Sequence, residues 1–222
     1  MPKPGLGDAP PSLKRICVFC GSSVGSRPAY AAAARQLADA MVSREIGLVY
    51  GGGTVGLMGE IARTVAGGLG PGHVLGVIPA ALAPREISDE LIGDTRVVGD
   101  MHERKAMMAR AADGFIAMPG GLGTLEELLE VMTWQQLGFH AKPVALLNTE
   151  GYYDGLIAFF RHCVNEGFVK GEHFRLLVAE DPQQLVADMA AWQPPASNVI
   201  ADAQARAAAV GVDIAGPSSD AV

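Results

Sequence analysis

Short apolar segments alternate along this chain with longer segments of helical periodicity, and this alternation limits the available folds more than any other feature. The short segments are apolar at consecutive positions, as in parallel strands covered on both faces. Strands that alternate with helices indicate βαβ units. The predicted strands are residues 15–20, 47–50, 73–78, 95–98, 114–118, 143–147 and 175–178. The predicted helices are residues 28–43, 57–67, 101–112, 125–137, 153–165 and 182–192.

These elements predict an α/β fold, with a doubly wound, mostly parallel, Rossmann-like sheet and helices on both faces. We expect one domain over residues 14–195, because a chain of 222 residues with 49% hydrophobic content can bury one sizeable core. Residues 1–13 are polar and rich in proline, and we expect a flexible segment. Residues 196–222 offer few side chains to a core, and we expect a mobile tail there, with a short alanine-rich helix as the alternative.

The net charge of the chain limits the kinds of partner that it can attract. The net charge is −7 and the pI is about 5.2, so nothing draws the whole chain to a nucleic acid polymer or an anionic membrane. The first residues lack the apolar stretch of a signal peptide, and no run of about 18 apolar residues follows. We therefore expect a cytoplasmic protein that binds a small molecule, with any phosphate held locally.

The cysteines and histidines indicate neither disulfides nor a metal. Three cysteines are too few for a disulfide framework. Cys17 and Cys20 have CxxC spacing, but they lie in a predicted strand, where residues three apart face opposite sides, so we interpret them as core residues. The five histidines show no ligand spacing typical of zinc sites, and we predict no metal.

Several loops that follow predicted strands are rich in glycine or charge. Ligands in open α/β sheets bind outside the carboxyl ends of the strands. Those ends include Gly21-Ser22, Gly51-Gly52-Gly53 and Pro119-Gly120-Gly121. The segment 101–105, which contains Arg104 and Lys105, follows another strand end. We therefore predict one ligand crevice, lined from distant parts of the chain, at this edge.

The segment PGGLGTLEE at 119–127 is the strongest candidate for a phosphate site. Glycines let backbone N–H groups approach a ligand, and a helix start adds unpaired N–H groups and the positive end of its dipole. The alternative is a capping box, in which Thr124 caps the helix and Glu127 caps back. Taken alone, the capping box is the better explanation of Glu127, but it does not require Gly120, Gly121 and Gly123.

The segment GGGTVG at 51–56 matches the glycine pattern of dinucleotide-binding folds. Such a site also needs an acid for the ribose about 20 residues further on, at the end of the next strand. That strand ends in Val77, Ile78 and Pro79. NAD and FAD are therefore disfavoured, and so is an ATPase, because no lysine follows a GxxxxG turn.

Three further residues suit substrate binding. Arg104 offers a fork of donors for a phosphate or a carboxylate, and Lys105 adds a point charge, although an isolated Glu-Arg-Lys is more often a solvated turn. Glu86 follows a strand end and suits the hydroxyl groups of a sugar or the N–H groups of a base. Thr133 lies in the predicted helix 125–137, and by itself it would be interpreted as a packing residue of that helix.

Taken together, MHERK at 101–105, PGGLGTLEE at 119–127 and MTWQQLGFHAKPV at 132–144 resemble the Lonely Guy family of cytokinin riboside 5′-monophosphate phosphoribohydrolases, often labelled lysine decarboxylases. The resemblance covers residues 15–192, and the signature PGGxGTxxE is complete. It implies hydrolysis of the N-glycosidic bond of an N6-substituted adenosine 5′-monophosphate. It implies no cofactor or metal, and a homodimer or a larger homo-oligomer.

By motif position, the resemblance implies that Arg104 and Glu127 form the catalytic pair. The predicted substrate-binding residues are Glu86, Lys105, Gly120, Gly121, Leu122, Gly123, Thr124, Leu125, Glu126, Thr133, Gly21, Ser22, Gly52 and Gly53. From the chemistry of the residues, Glu127 suits stabilisation of a positively charged ribosyl transition state. Arg104 either binds the substrate or holds the carboxylate.

Two alternatives stay open. One is a pyridoxal-phosphate-dependent decarboxylase, although none of Lys14, Lys105, Lys142 and Lys170 lies in a motif that suggests a Schiff base. The other is a non-catalytic nucleotide-binding or carrier module with the same glycine loops. Release of free base from AMP or an N6-substituted analogue separates the enzyme from both.

Overall fold

A computed structural model describes residues 13–88, 90–194 and 198–209 of the chain. Within them, seven parallel strands form one sheet. The strands are β1 (Arg15–Phe19), β2 (Gly47–Tyr50), β3 (Val74–Pro79), β4 (Asp94–Val98), β5 (Gly114–Ala117), β6 (Val144–Leu147) and β7 (Leu177–Ala179). Their order is β4-β3-β2-β1-β5-β6-β7, which confirms the predicted α/β fold.

Eight α-helices accompany the sheet in the described part of the chain. They are α1 (Pro28–Val42), α2 (Gly56–Leu69), α3 (Ala83–Glu86), α4 (Met101–Ala111), α5 (Leu122–Leu137), α6 (Asp154–Asn165), α7 (Pro182–Ala190) and α8 (Val199–Ala209). The short helix α3 was not predicted, because four residues give no periodic pattern. No helix among the described residues has the length and apolar character needed to cross a membrane.

Two hydrophobic clusters cover the two faces of the sheet. Helices α1, α2 and α7 pack on one face and α4, α5 and α6 on the other. Cys17 in β1 belongs to the second cluster and Cys20, directly after β1, to the first, which confirms that the CxxC pair points to opposite faces and fills the core. The continuous burial of β2, β5 and β6 follows from this double covering.

The ends of the chain are described only in part. Nearly all of the predicted N-terminal segment, and residues 196–197 and 210–222 of the predicted tail, lie outside the described residues. Helix α8 occupies residues 199–209, where the sequence left an alanine-rich helix as the alternative. A hydrogen bond of 2.9 Å between His173 Nε2 and Asp202 Oδ2 attaches this helix to the domain.

Sheet topology locates the ligand edge. The strand order reverses at β1: the chain runs outward from β1 through β2 and β3 to β4, and then crosses back to β5 on the other side of β1. A crevice therefore opens at the carboxyl end of β1, as expected for a doubly wound sheet. Gly21 N–H donates to Pro119 O at 3.1 Å there, so the loops after β1 and β5 are in contact.

Candidate active site

A cavity of about 330 Å³ lies at this edge of the sheet. It brings together residues from five separate parts of the chain. Among the predicted site residues, those that line it are Gly21, Ser22, Glu86, Arg104, Gly121, Leu122, Gly123, Thr124 and Glu127. The crevice predicted at the carboxyl ends of the strands is therefore present.

The start of α5 forms one wall of the cavity. The helix begins at Leu122, three residues before the predicted start, with Gly121 as its N-cap and no side-chain cap. By contrast, α4 is capped by Asp100, whose carboxylate accepts the Glu103 N–H. The first N–H group that bonds within this turn is that of Leu125, which donates to Gly121 O at 3.2 Å. The amides before Leu125 have no partner within the helix. Unpaired amides and the positive end of a helix dipole together favour an anion.

The capping-box interpretation of Glu127 is wrong. Thr124 lies inside the first turn of α5 and Glu127 lies in the second, so neither caps the helix. The prediction placed the helix start too late because glycine has low helix propensity. Here Gly123 is nevertheless helical, and Glu127 is free for a role in the cavity.

The three glycines of the loop have different functions. A Cβ atom on Gly120 would collide with the Thr124 side chain, so packing inside the protein requires that glycine. A Cβ atom on Gly121 or on Gly123 would meet no protein atom within 4 Å, and both residues line the cavity. The protein itself leaves room for side chains at these two positions, which indicates that the bare backbone serves a ligand.

Glu127 and Arg104 form a buried pair at the floor of the cavity. Arg104 Nη2 lies 3.8 Å from Glu127 Oε1, and the side chains are only 8% and 11% exposed. Arg104 Nη2 also donates to the Gly51 carbonyl at 3.4 Å. Glu127 Oε1 and Arg104 Nε have no hydrogen-bond partner among the described residues. Two buried polar atoms are thus available to a ligand.

The environment of Glu127 favours its neutral form. Burial raises the pKa of Glu127 from an ordinary 4.5 to about 7; the nearby charge of Arg104 opposes this shift, and those of Glu126 and Glu86 add to it. A carboxyl with a pKa close to neutrality is suited to proton transfer. By contrast, burial and then the charge of Glu127 raise the pKa of the Cys20 thiol, so this cavity residue stays a neutral thiol.

Glu86 contributes a second carboxylate. It ends α3, is half-buried and lines the cavity, and its Oε2 is buried without a hydrogen-bond partner among the described residues. The neighbouring Arg85, which the sequence analysis did not single out, also lines the cavity and is exposed. Only its position beside Glu86 could have suggested it.

The remaining predicted residues lie outside the cavity lining. Lys105 Nζ donates to Glu126 Oε1 at 2.6 Å and to Glu130 Oε1 at 2.9 Å, so it joins α4 to α5. Thr133 is exposed and donates to the Leu129 carbonyl at 2.7 Å. The others are Gly52, Gly53, Gly120, Leu125 and Glu126.

No lysine of the described chain lines the cavity, which bears on the decarboxylase alternative. Lys105 is held by two carboxylates. Lys142 donates to the Ala109 carbonyl at 2.7 Å, near the end of α4. Because a pyridoxal enzyme forms its Schiff base with a lysine in the site, this arrangement gives that chemistry no candidate residue.

One cluster with possible metal ligands lies elsewhere. Glu172, His173 and Asp202 place ligand atoms within 4.8 Å of one another. His173 and Asp202 are bonded to each other there and join α8 to the domain. The cluster lies outside the cavity.

Comparisons with known proteins identify the family of this chain. A family model described as "Possible lysine decarboxylase" matches residues 58–189. A cytokinin riboside 5′-monophosphate phosphoribohydrolase of Arabidopsis thaliana is 56% identical over 183 residues, which are 82% of this chain and 83% of the relative. A probable enzyme of the same name from Oryza sativa subsp. japonica is 54% identical over 82% of this chain and 74% of the relative.

Two solved structures share the fold at lower identity. A molybdenum cofactor binding protein of Rippkaea orientalis has a TM-score of 0.60 at 23% identity, over 80% of this chain and 95% of its own. The molybdenum cofactor carrier protein of Chlamydomonas reinhardtii has a TM-score of 0.58 at 23% identity, over 78% and 94%. At this identity the likeness shows the fold alone.

Proposed function

Because this chain belongs to the cytokinin riboside 5′-monophosphate phosphoribohydrolase family, we propose that it hydrolyses the N-glycosidic bond of N6-substituted adenosine 5′-monophosphates, and of AMP. Water adds to the anomeric carbon, the C–N bond breaks, and the base leaves with one proton. The products are the free base and ribose 5-phosphate. The observation that carries this proposal is the buried Glu127 carboxyl beside Arg104, below the uncapped start of α5.

Glu127 acts on the reacting carbon. Breaking the ribosyl C–N bond builds positive charge on the sugar, and an ionised carboxylate in a largely dry site stabilises that charge. The same carboxylate can orient the attacking water and accept its proton. Its pKa of about 7 means that a substantial fraction is ionised near neutral pH.

Arg104 holds that carboxylate and keeps part of it charged. Its guanidinium lies 3.8 Å from Glu127 Oε1 and lowers the pKa that burial raises. Its Nε has no partner among the described residues and is available to the substrate. Arg104 therefore serves both roles that the sequence left as alternatives.

The substrate phosphate binds at the start of α5. The amides of the first turn and the helix dipole attract the anion, while Gly121 and Gly123 leave it space. Glu127 follows one turn later, and helical side chains point back toward the N-terminus. A phosphate fixed there holds the ribose beside the carboxyl, which lowers the entropic part of the barrier.

We also propose that the chain acts as a cytoplasmic homodimer, as the family resemblance implies. Exposed apolar side chains support an interface. Leu129 on α5 is 44% exposed, Phe159 on α6 is 59% exposed and Phe168 is 86% exposed. Light scattering of the purified protein across a concentration series measures the oligomeric mass directly.

The test of the function is release of free base. AMP, an N6-isopentenyl analogue and adenosine are each incubated with the protein, and the products are separated by chromatography. We expect base and ribose 5-phosphate from both nucleotides. We expect the Glu127→Gln and Glu127→Ala variants to lose at least ~100-fold of this rate.

Glu60→Gln is the matched control, since Glu60 lies on α2 and pairs with Arg35 at 2.7 Å, outside the cavity lining. We expect it to retain the wild-type rate. Tight nucleotide binding without base release would favour the carrier alternative. A Glu127→Gln variant that releases base at the wild-type rate would show that Glu127 has no part in the reaction.

A further inference from the structure

The glycine segment after β2 has no function in the proposed reaction, although its pattern resembles a nucleotide-binding loop. Of residues 51–56, only Gly51 lines the cavity. A Cβ atom on Gly51 would collide with the Arg104 guanidinium, and the Gly51 carbonyl accepts from that guanidinium at 3.4 Å. Gly51 therefore positions the Arg104 side chain in the cavity.

Thr54, in the same segment, is tied to the loop that carries Glu86. Thr54 is 1% exposed. Its backbone N–H donates to the Glu86 carbonyl at 2.8 Å, and its Oγ1 accepts the Ser88 N–H at 3.0 Å. The two hydrogen bonds hold the backbone at Glu86 and at Ser88.

The Glu86 loop also packs closely on the glycine segment. A Cβ atom on Gly53 would lie 3.3 Å from the Glu86 carbonyl oxygen and 3.4 Å from the Glu86 Cβ, and 2.6 Å from the Met58 methyl. A side chain at position 53 would therefore collide with the Met58 methyl and be in tight contact with Glu86. Because α3 has only four residues, its own turn provides little rigidity, and the contacts with 53–54 add to its hydrogen bonds in holding Glu86 in place.

We propose that Thr54 is a positioning residue, which holds Glu86 so that its unpartnered carboxylate oxygen accepts a hydrogen bond from an N–H or O–H group of the nucleotide. This inference rests on the proposed function for the identity of the ligand. It assigns to the GGGT segment the alignment of two substrate-facing side chains, Arg104 and Glu86. A buried hydrogen bond from a substrate to a held acceptor gains more than one to a mobile acceptor.

The test is a double-mutant cycle on ligand binding. Thr54→Val removes the Oγ1 acceptor at nearly constant volume, and Thr54→Ser keeps it. Each change is made with Glu86 present and with Glu86→Ala, which removes the acceptor oxygen. All proteins carry Glu127→Gln to stop turnover, and the dissociation constant of AMP is measured by titration calorimetry.

We expect Thr54→Val to weaken AMP binding about 5- to 10-fold when Glu86 is present, the scale of one neutral hydrogen bond, and less than about 2-fold when residue 86 is Ala. Thr54→Ser should bind within about 2-fold of its parent. Equal weakening in both backgrounds, or unchanged binding by folded Thr54→Val, would overturn the inference.

Gly53→Ala tests the same contact without touching Thr54. It should also weaken AMP binding more with Glu86 present than with Glu86→Ala, and an equal loss in both would count against the proposal. Base release by the protein with Glu127 intact is a separate readout. If AMP binds and the cycle is coupled but no base is released, the proposed reaction fails while the positioning role stands.

Discussion

Replacing Glu127 by glutamine should make the ligand-free protein more stable at neutral pH while it removes activity. The glutamine amide resembles the neutral carboxyl in shape but cannot ionise. The buried carboxyl of the wild type, with its pKa raised from 4.5 to about 7, must ionise at a cost as the pH rises. The variant avoids that cost.

The magnitude follows from proton linkage. Below pH 4.5 the group is protonated in both the folded and the unfolded chain. Between pH 4.5 and 7 the unfolded chain loses the proton first, so the folded state becomes progressively less stable, and above pH 7 the difference is constant. At ~1.36 kcal/mol per pKa unit, the loss in the wild type is about 3 kcal/mol.

Urea unfolding of the wild type and of Glu127→Gln at several pH values between 4.5 and 8 measures this difference. Phosphate-free buffers are required, because an anion bound at α5 would stabilise the folded state. We expect the stability advantage of the variant to grow by about 3 kcal/mol over this range. A constant difference would refute the account of Glu127 as a buried acid, and Glu60→Gln controls for the substitution itself.

Further predictions concern the same site. In the wild type, kcat/KM should rise with pH through an apparent pKa near 7, since ionised Glu127 is the active form, and a flat profile would contradict this. Lys105→Met should move that profile to higher pH and Glu126→Gln to lower pH, because these charges respectively lower and raise the pKa of Glu127; Lys170→Met is the surface control. Gly123→Ala should stabilise the protein by about 1 kcal/mol through helix propensity yet raise the KM for AMP at least ~10-fold, and an unchanged KM would remove the phosphate from this loop. Adenosine should react at least ~100-fold more slowly than AMP in kcat/KM, because it lacks the anchoring group, and equal rates would exclude that anchor.

Much of the fold followed from local pattern. Runs of consecutive apolar residues such as 47–50 can only be covered on both faces, which predicts a parallel sheet with helices on each side. Parallel strands in turn bring their carboxyl ends to one edge, so the loops at Gly21, Gly51 and Gly121 were expected to meet there.

Where the sequence analysis was wrong, the cause was a local rule that packing overrode. Glycine propensity placed the start of α5 at Leu125, whereas the helix begins at Leu122. That shift of about one turn excludes the capping-box alternative for Glu127, which lines the cavity. The substrate contact predicted for Lys105 stays a prediction; its partners Glu126 and Glu130 lie on another helix, and only folding brings them within hydrogen-bond distance.

The sequence by itself determined the order of elements, the edge that carries the loops and the residue types available to the chemistry, because these depend on periodicity and backbone freedom over short stretches. The tertiary structure alone decided that Arg104 faces Glu127, that Thr54 supports Glu86, and that burial moves the pKa of Glu127 toward neutrality. Such relations join residues more than 20 positions apart, and their strength depends on distance and on exclusion of water, which no local pattern contains.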